Sequence, residues 1–412
     1  MLAINLITYN SDFQKKNNLH STHLDLIAGL TKEITINIVD RKGIDKIKNS
    51  DLKIIFLATG GVEHLVAEDY EKLPHPLIIM ADGLENSLAS AMEIMFWLRG
   101  KNAKYELLQG NPHQIVERLY YLDKMFSSRN ELAGKRIGVI GSPSPWLIAS
   151  NADYLLSQRR WGVNFVDVPS TEIAERAAHI KDEESAKIAA EITSKALAIR
   201  DVRATEILKS CKFYLALKQT VKEYDLDAFT LSCFDTAKVS GTTGCLAVSL
   251  LNDEGIIAGC EGDMQSVFTL LLAKAVTGET GFMGNILFIN QPNNDVVIGH
   301  NTIGLKQVNQ FIIRTHVESG KGVTIQGILP ETEITMLKCG NESLDNYFVS
   351  EGRIEENTNY VNACRTQIRI HLSNSVDYFI NNPIGNHHII IPGNYEKILS
   401  DFLSANSCKQ II

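Results

Sequence analysis

The hydrophobic pattern of this chain changes character once along its length, and that change limits the folds open to it. Up to about residue 276, short β-rich apolar runs alternate with helix-like segments. Ala3 to Thr8, Ile34 to Val39, Lys53 to Ala58 and Leu77 to Met80 read as strands. Ser87 to Arg99 reads as a helix, with Asn86 or Ser87 placed to cap its first turn. After the polar stretch Ser127-Ser128-Arg129-Asn130 the alternation restarts. Strands are expected at Lys135 to Ile140, Val163 to Val168, Ala228 to Cys233 and Ile256 to Cys260, with an Ala/Glu/Lys-rich helix over Asp182 to Ile199. Strands that alternate with helices lie parallel and need helices on both faces of the sheet. Beyond residue 276 the helix signal nearly vanishes until Tyr395 to Leu403. Phe311 to Val317, Val323 to Gly327, Thr332 to Lys338, Gln367 to Leu372 and His388 to Ile391 are short, β-rich and separated by turns. The expected architecture is α/β. Two doubly wound parallel-sheet (Rossmann-like) domains, 1–129 and 130–276, precede a C-terminal antiparallel β-barrel-like domain, 277–412.

Composition narrows the partners. A net charge of −8 with no basic patch argues against nucleic acid. No apolar run approaches the roughly 20 residues a spanning helix needs, and MLAINLITYNSDF has no basic leader, so no membrane association is expected. Seven cysteines, none spaced as CxxC and several inside apolar runs, read as reduced, buried thiols of a cytoplasmic protein.

The chemistry-bearing stretch is Cys233 to Asp263, CFDTAKVSGTTGCLAVSLLNDEGIIAGCEGD. Its last apolar run ends on Glu261 and Asp263, where α/β proteins place chemistry. Gly281-Phe282-Met283-Gly284-Asn285 and Gly385-Asn386-His387-His388 follow. Glu261, Asn285, His300, His387 and His388 together offer oxygen and imidazole donors of the kind that suits Mn²⁺, Mg²⁺ or a similar ion. The plainer readings are a turn at Glu-Gly-Asp and a surface-to-core transition at His-His. No GxGxxG, P-loop lysine motif or GxSxG is present, which removes the usual support for dinucleotide, nucleoside triphosphate or serine-nucleophile chemistry. Cys260 beside Glu261 reads as core packing, since a neighbouring carboxylate disfavours the thiolate. Trp97, Trp146 and Trp161 are either core residues or a stacking face for a sugar.

Several segments, in order, resemble the L-fucose isomerase-like family of sugar isomerases, related to the L-fucose and L-arabinose isomerases. They are PLIIMADGLENSLASAME (76–93), GKRIGVIGSPSPWLIASNADY (134–154), GCLAVSLLNDEGIIAGCEGD (244–263), SGKGVTIQGILP (319–330), Cys364-Arg365-Thr366 and GNHHIIIPGNY (385–395). The resemblance implies aldose–ketose isomerisation of a small sugar in carbohydrate metabolism, through an enediol and with a divalent metal such as Mn²⁺. It places the catalytic and metal-binding glutamate on Glu261 and the C-terminal histidine ligand on His387 or His388. A further histidine ligand falls on His300. Asp263 becomes a second catalytic carboxylate, and Asn86, Ser87, Trp146, Arg365 and Asn386 become sugar-binding positions. It also implies a homo-oligomer, trimeric or hexameric, whose cleft lies between subunits near Asn86 and Ser87.

One departure matters. The family's second carboxylate ligand falls on Asn285, whose amide oxygen can coordinate a cation but cannot hold a proton. The alternative expectation is therefore a non-catalytic sugar-binding or sensor protein on the isomerase scaffold.

Overall fold

A computed structural model describes residues 1–11, 23–47 and 52–412. The chain divides into two compact units, Met1–Asn130 and Glu131–Ile412.

The first unit is a doubly wound parallel sheet. Its strands are β1 (Ala3–Tyr9), β2 (Thr35–Asp40), β3 (Lys53–Leu57), β4 (Leu77–Met80) and β5 (Tyr105–Leu108), in spatial order β2-β1-β3-β4-β5. Every neighbouring pair is parallel. The helices are α1 (Leu24–Thr31), α2 (Glu63–Asp69), α3 (Ser87–Gly100) and α4 (Pro112–Leu132). Side-chain alternation splits β3 between two cores: Ile54 and Phe56 join Leu30 and Leu119, while Ile55 and Leu57 join Ile94 and Leu98. Burial on both faces explains why β3 reads as an unbroken apolar run.

The second unit opens with β6 (Arg136–Ile140), α5 (Tyr154–Trp161), β7 (Asn164–Val168), α6 (Ser170–His179), α7 (Asp182–Lys195) and the short β8 (Ala198–Ile199). It continues with α8 (Ala204–Glu223), β9 (Ala228–Leu231), α9 (Cys233–Ser240), α10 (Cys245–Asp253), β10 (Ile257–Cys260) and α11 (Met264–Thr277). A parallel sheet of order β10-β9-β6-β7 results. The chain then becomes mostly β: β11 (Phe282–Asn290), β12 (Asp295–His300), β13 (Gln310–Arg314), β14 (Thr324–Ile328), β15 (Glu333–Gly340), β16 (Asn346–Asn357), β17 (Thr366–Leu372), α12 (Tyr378–Asn381), β18 (His387–Pro392), α13 (Glu396–Ala405) and β19 (Lys409–Gln410). Six strands close an antiparallel barrel in the order β15-β18-β11-β12-β17-β16, with β16 pairing back to β15. Two parallel sheets with helices and a closed C-terminal barrel are the expected fold class.

Local details differ from the sequence reading. Phe311 to Val317 and Val323 to Gly327 do not enter the barrel; β13 and β14 form a separate three-stranded sheet with β8. The barrel instead recruits β11, β12 and β16, whose mixed polar sequences lack clean alternation. The strand expected through Cys233 stops at Leu231, because Cys233 already starts α9. The helix expected over Asp182 to Ile199 ends at Lys195, where β8 needs extended backbone.

Helix α11 joins the parallel sheet to the barrel. It packs on β9 and β10 and on β15 and β18, so it is apolar nearly all round and almost wholly buried. Its N-cap is Asp263, whose Oδ1 accepts from the Ser266 backbone N–H at 2.7 Å. None of the described helices is long and apolar enough to cross a membrane.

The same seam gives a stability test. Trp161 is fully buried, packs on Phe268 and Phe402 at ring distances of 5.2 and 6.2 Å, and donates from Nε1 to the Leu344 carbonyl at 3.2 Å. Trp161→Ala is expected to cost the second unit about 3–5 kcal/mol. Trp161→Phe, which keeps most of the contact and loses the indole hydrogen bond to the Leu344 carbonyl, should cost roughly 1–3 kcal/mol. Urea unfolding followed by circular dichroism checks the order; equal midpoints for wild type and Trp161→Ala would contradict it.

Candidate functional site

Glu261 is the first residue after β10, and it leaves the strand by a sharp turn. Its φ is +62° and that of Gly262 is +74°. A left-handed conformation is uncommon for a non-glycine residue and is concentrated at functional sites. Gly262 is required, because a Cβ there would lie 2.6 Å from the Pro143 Cα. The turn places Glu261 at the carboxyl edge of the parallel sheet, where open α/β sheets bind ligands. Trp146 Nε1 donates to Glu261 Oε2 at 2.8 Å and the Ser144 backbone N–H donates to its carbonyl at 3.0 Å.

The barrel supplies two imidazoles. His300 ends β12 and His387 begins β18. Their Nε2 atoms lie 3.9 and 3.7 Å from Glu261 Oε1. One ligand atom from each of the three residues lies within 4.8 Å of the others. In both rings Nδ1 is engaged elsewhere: His300 with Thr302 Oγ1 at 2.8 Å, His387 with Asp263 Oδ2 at 2.9 Å. Such hydrogen bonds fix ring orientation and tautomer and leave Nε2 to face the site. His387 Nε2 is buried and has no hydrogen-bond partner. A buried polar atom without a partner is costly, and a cation between the three residues would supply one. One carboxylate oxygen and two imidazole nitrogens fit a divalent metal ion.

Charge reinforces the geometry. Burial alone would raise the Glu261 pKa, but His387, His300 and Trp146 outweigh it and hold the carboxyl at about 2. Burial disfavours imidazolium at His387, yet Asp263 and Glu261 push its pKa up to about 9. Burial and the adjacent His387 push His300 down to about 4. Asp263 is fully buried, which opposes ionisation, but Lys338, His387 and the Ser266 N–H hold it well below the usual carboxylate range. Near neutral pH the cluster therefore contains two carboxylates, one imidazolium and the neutral His300.

The other expected positions separate. His388 faces away from Glu261. It lies among Phe348, Tyr378 and Phe379, with Nε2 at 3.1 Å from the Tyr378 hydroxyl, and burial depresses its pKa to about 3. Strand alternation, which sends consecutive residues to opposite faces, selects His387. Asn285 is the cross-strand partner of His387, so it shares that face. Its Oδ1 accepts from Asn386 Nδ2 at 2.5 Å and its Nδ2 approaches Cys364 Sγ at 3.7 Å. Asp263 has both oxygens engaged, by the backbone and hydroxyl of Ser266 and by His387. Its geometry positions His387 rather than reaching a reactant.

Arg365 precedes Thr366, the partner of His300 across the sheet. Its backbone N–H donates to Asn301 Oδ1 and its Nε to the Thr315 carbonyl, and it forms no salt bridge among the described residues. Trp146, half exposed, begins an aromatic row: Trp146 to Phe234 at 5.1 Å, Phe234 to His316 at 5.6 Å. In the first unit, Asn86 lines a cleft with Ser11, Gly60, Gly61 and Ser90 at the carboxyl ends of β1 and β3. Ser87 is buried and accepts from the Gly83 N–H at 2.9 Å.

One residue escaped the sequence reading. Lys338 has no exposed surface, and its Nζ lies 2.8 Å from Ser266 Oγ and 3.7 Å from Asp263 Oδ2. A lysine in the apolar run Ile334 to Cys339 was the signal that could have revealed it.

No protein-family model matches the chain. It is similar to a sulfoquinovose isomerase of Alkalicoccus urumqiensis, with 23% identity over 62% of this chain and 59% of the relative. It is also similar to a sulfoquinovose isomerase of Priestia aryabhattai, with 22% identity over 52% of this chain and 49% of the relative. The chain thus spans about half to three-fifths of the length of these two relatives. Among solved structures, D-threo-3-hydroxyaspartate dehydratase from Delftia sp. HT23 aligns over 98% of this chain and 84% of its own, at 8% identity and a TM-score of 0.15, too weak a likeness to carry an argument.

Calorimetric titration with Mn²⁺ tests the choice of ligand. His387→Gln is expected to abolish measurable binding, whereas His388→Phe should leave affinity within a few-fold of wild type. Because His387 carries a proton up to about pH 9, offering Nε2 must release it. Affinity should therefore rise with pH through the neutral range, and the measured heat should depend on buffer ionisation enthalpy. Equal losses for the two variants would contradict the assignment.

Proposed function

We propose that this chain is an aldose–ketose isomerase for a small sugar, with Mn²⁺ or a similar divalent ion held by Glu261, His300 and His387. The observation that carries this reading is the convergence of those three side chains on one point, with His387 Nε2 buried and otherwise unpartnered. The names of the relatives, all sulfoquinovose isomerases, support sugar isomerisation.

The reaction moves a proton between C2 and C1 of the sugar. Glu261 is the proton acceptor: it is ionised near neutral pH and only 16% of its side chain is exposed. It is held by Trp146 on Oε2, so its orientation is set before substrate arrives. A divalent ion in the site supplies positive charge that offsets the negative charge developing on the sugar oxygens. Trp146, half exposed and hydrogen-bonded to Glu261, offers its ring face to the C–H face of a sugar, with Phe234 packed edge-to-face behind it. His387, held by Asp263, stays directed at the same point throughout.

The finer proposal is that the sugar is anionic. Arg365 lies beside the strand position opposite His300 and has no carboxylate salt bridge among the described residues. A guanidinium presents a planar donor fork that matches an oxyanion. The same reading includes a homo-oligomer, trimeric or hexameric, in which Asn86 of one copy approaches Glu261 of another. Sedimentation of only monomer would contradict that part.

A binding-only protein is the second reading, favoured by the amide at Asn285, whose Oδ1 is already taken by Asn386. Turnover separates the two. With Mn²⁺ present, wild-type protein should interconvert sulfoquinovose and its ketose, followed by proton NMR. Glu261→Gln should lower kcat by about 10²–10⁴-fold, the usual effect of removing a general base. Arg365→Met should raise KM for the sulfonated sugar with little change in kcat. Tight sugar binding with no solvent-proton exchange at C2 would favour the binding-only reading.

A further inference from the structure

Three thiols crowd the root of Glu261 and have no part in the chemistry above. Cys260 closes β10 one residue before Glu261, Cys233 opens α9, and Cys245 opens α10. All three are buried, at 3%, 3% and 1% exposure. The Cys233 and Cys260 sulfurs are 2.7 Å apart, and the Cys245 side chain also contacts Cys233.

The backbone explains the proximity. Cys260 pairs with Leu231 on the neighbouring strand, and Cys233 follows Leu231 by two residues. Both thiols therefore sit at the carboxyl ends of adjacent parallel strands, which run about 4.8 Å apart. A disulfide needs sulfurs about 2.05 Å apart. Joining this pair requires less than an ångström of closure between the sulfurs.

We propose that Cys233 and Cys260 form a reversible, peroxide-oxidisable dithiol, a modification site that ties the first turn of α9 to the strand end carrying Glu261. The oxidant is a peroxide. The Cys233 sulfur attacks one peroxide oxygen and the O–O bond breaks. The departing oxygen takes up the thiol proton and leaves as water, and Cys233 becomes a sulfenic acid. The Cys260 sulfur then attacks the Cys233 sulfur. The S–S bond forms, the S–O bond breaks, and the hydroxide leaves with the second thiol proton as water. Two thiols and one hydrogen peroxide thus give one disulfide and two waters. Cys245, in contact with Cys233, is the third thiol of the cluster and stays reduced; an external dithiol such as dithiothreitol reopens the link, leaving as its own cyclic disulfide. The disulfide adds no atoms, so the packed core accommodates it. It closes the chain segment from Cys233 to Cys260 covalently and fixes the turn that orients Glu261.

Peptide mapping tests this without any sugar or metal. The full chain is exposed to a small excess of hydrogen peroxide, quenched in acid, unfolded, alkylated and digested, and the peptides are identified by mass spectrometry. Two of the seven thiols should disappear, with Cys233 and Cys260 in one linked pair, lighter by two hydrogen atoms and restored by dithiothreitol. Cys233→Ser and Cys260→Ser should each abolish that link, and Cys245→Ser should leave it formed. Retention of all seven thiols, conversion of Cys260 to an irreversible sulfinic acid, or a link between other cysteines would overturn the proposal. If a serine variant fails to fold, the wild-type map alone decides. Because the readout is thiol chemistry, its outcome is independent of whether the chain isomerises a sugar.

Discussion

A single buried carboxylate, Asp263, organises the second unit. One oxygen caps α11 through the Ser266 backbone; the other meets the Ser266 hydroxyl, His387 Nδ1 and, at 3.7 Å, Lys338 Nζ. Helix α11 leaves the parallel sheet at that point, while β15 and β18 belong to the barrel, so the carboxylate is where the two architectures are fastened. Burying such ions carries a desolvation penalty of several kcal/mol each. Both carboxylate oxygens are hydrogen-bonded, and removing one charge from such a cluster typically costs about 3–5 kcal/mol. The same knot directs His387 Nε2 outward. Fold stability and site geometry therefore share one set of hydrogen bonds.

The site draws its donors from two different sheets. Glu261 comes from the edge of the parallel sheet, where the chain turns through two consecutive left-handed residues. Holding a non-glycine residue there costs of order 1–3 kcal/mol, and Gly262 against Pro143 keeps the turn in place. His300 ends β12 and His387 begins β18, and the register of both strands with β11, where Asn285 lies opposite Gly299 and His387, brings the two imidazoles together. A carboxylate from a tight turn and imidazoles from paired strands are all rigidly mounted, so little ordering entropy remains to be lost when a ligand binds. The three thiols behind Glu261 lie in the same rigid corner.

The large-scale fold was legible because continuous apolar strands alternating with helices have few other solutions. The local failures had physical causes. β13 and β14 looked like barrel strands, but pairing partners depend on the whole sheet, and β8, two residues long, was invisible as a partner. For the site, Glu261 was readable from its place at a strand end. The choice between His387 and His388 was not, because adjacent strand residues face opposite ways and only the register with β11 decides which faces Glu261. Asp263 read in sequence as a second catalytic carboxylate, and the structure shows it capping α11 and hydrogen-bonded to His387, contacts that depend on the helix and on β18 far along the chain. Lys338 was hidden because its partners, Asp263 and Ser266, lie more than seventy residues away in sequence. The Cys233–Cys260 contact likewise depends on strand order.

In the function proposed above, Glu261, His300 and His387 hold a divalent cation. Anomalous diffraction from crystals grown with Mn²⁺ locates such an ion by element. One strong anomalous peak is expected at roughly 2.0–2.6 Å from a Glu261 oxygen, bonded also to Nε2 of His300 and His387, with His388 outside the coordination sphere. A peak bound elsewhere, or none at saturating Mn²⁺ with the three side chains still converging, would contradict it.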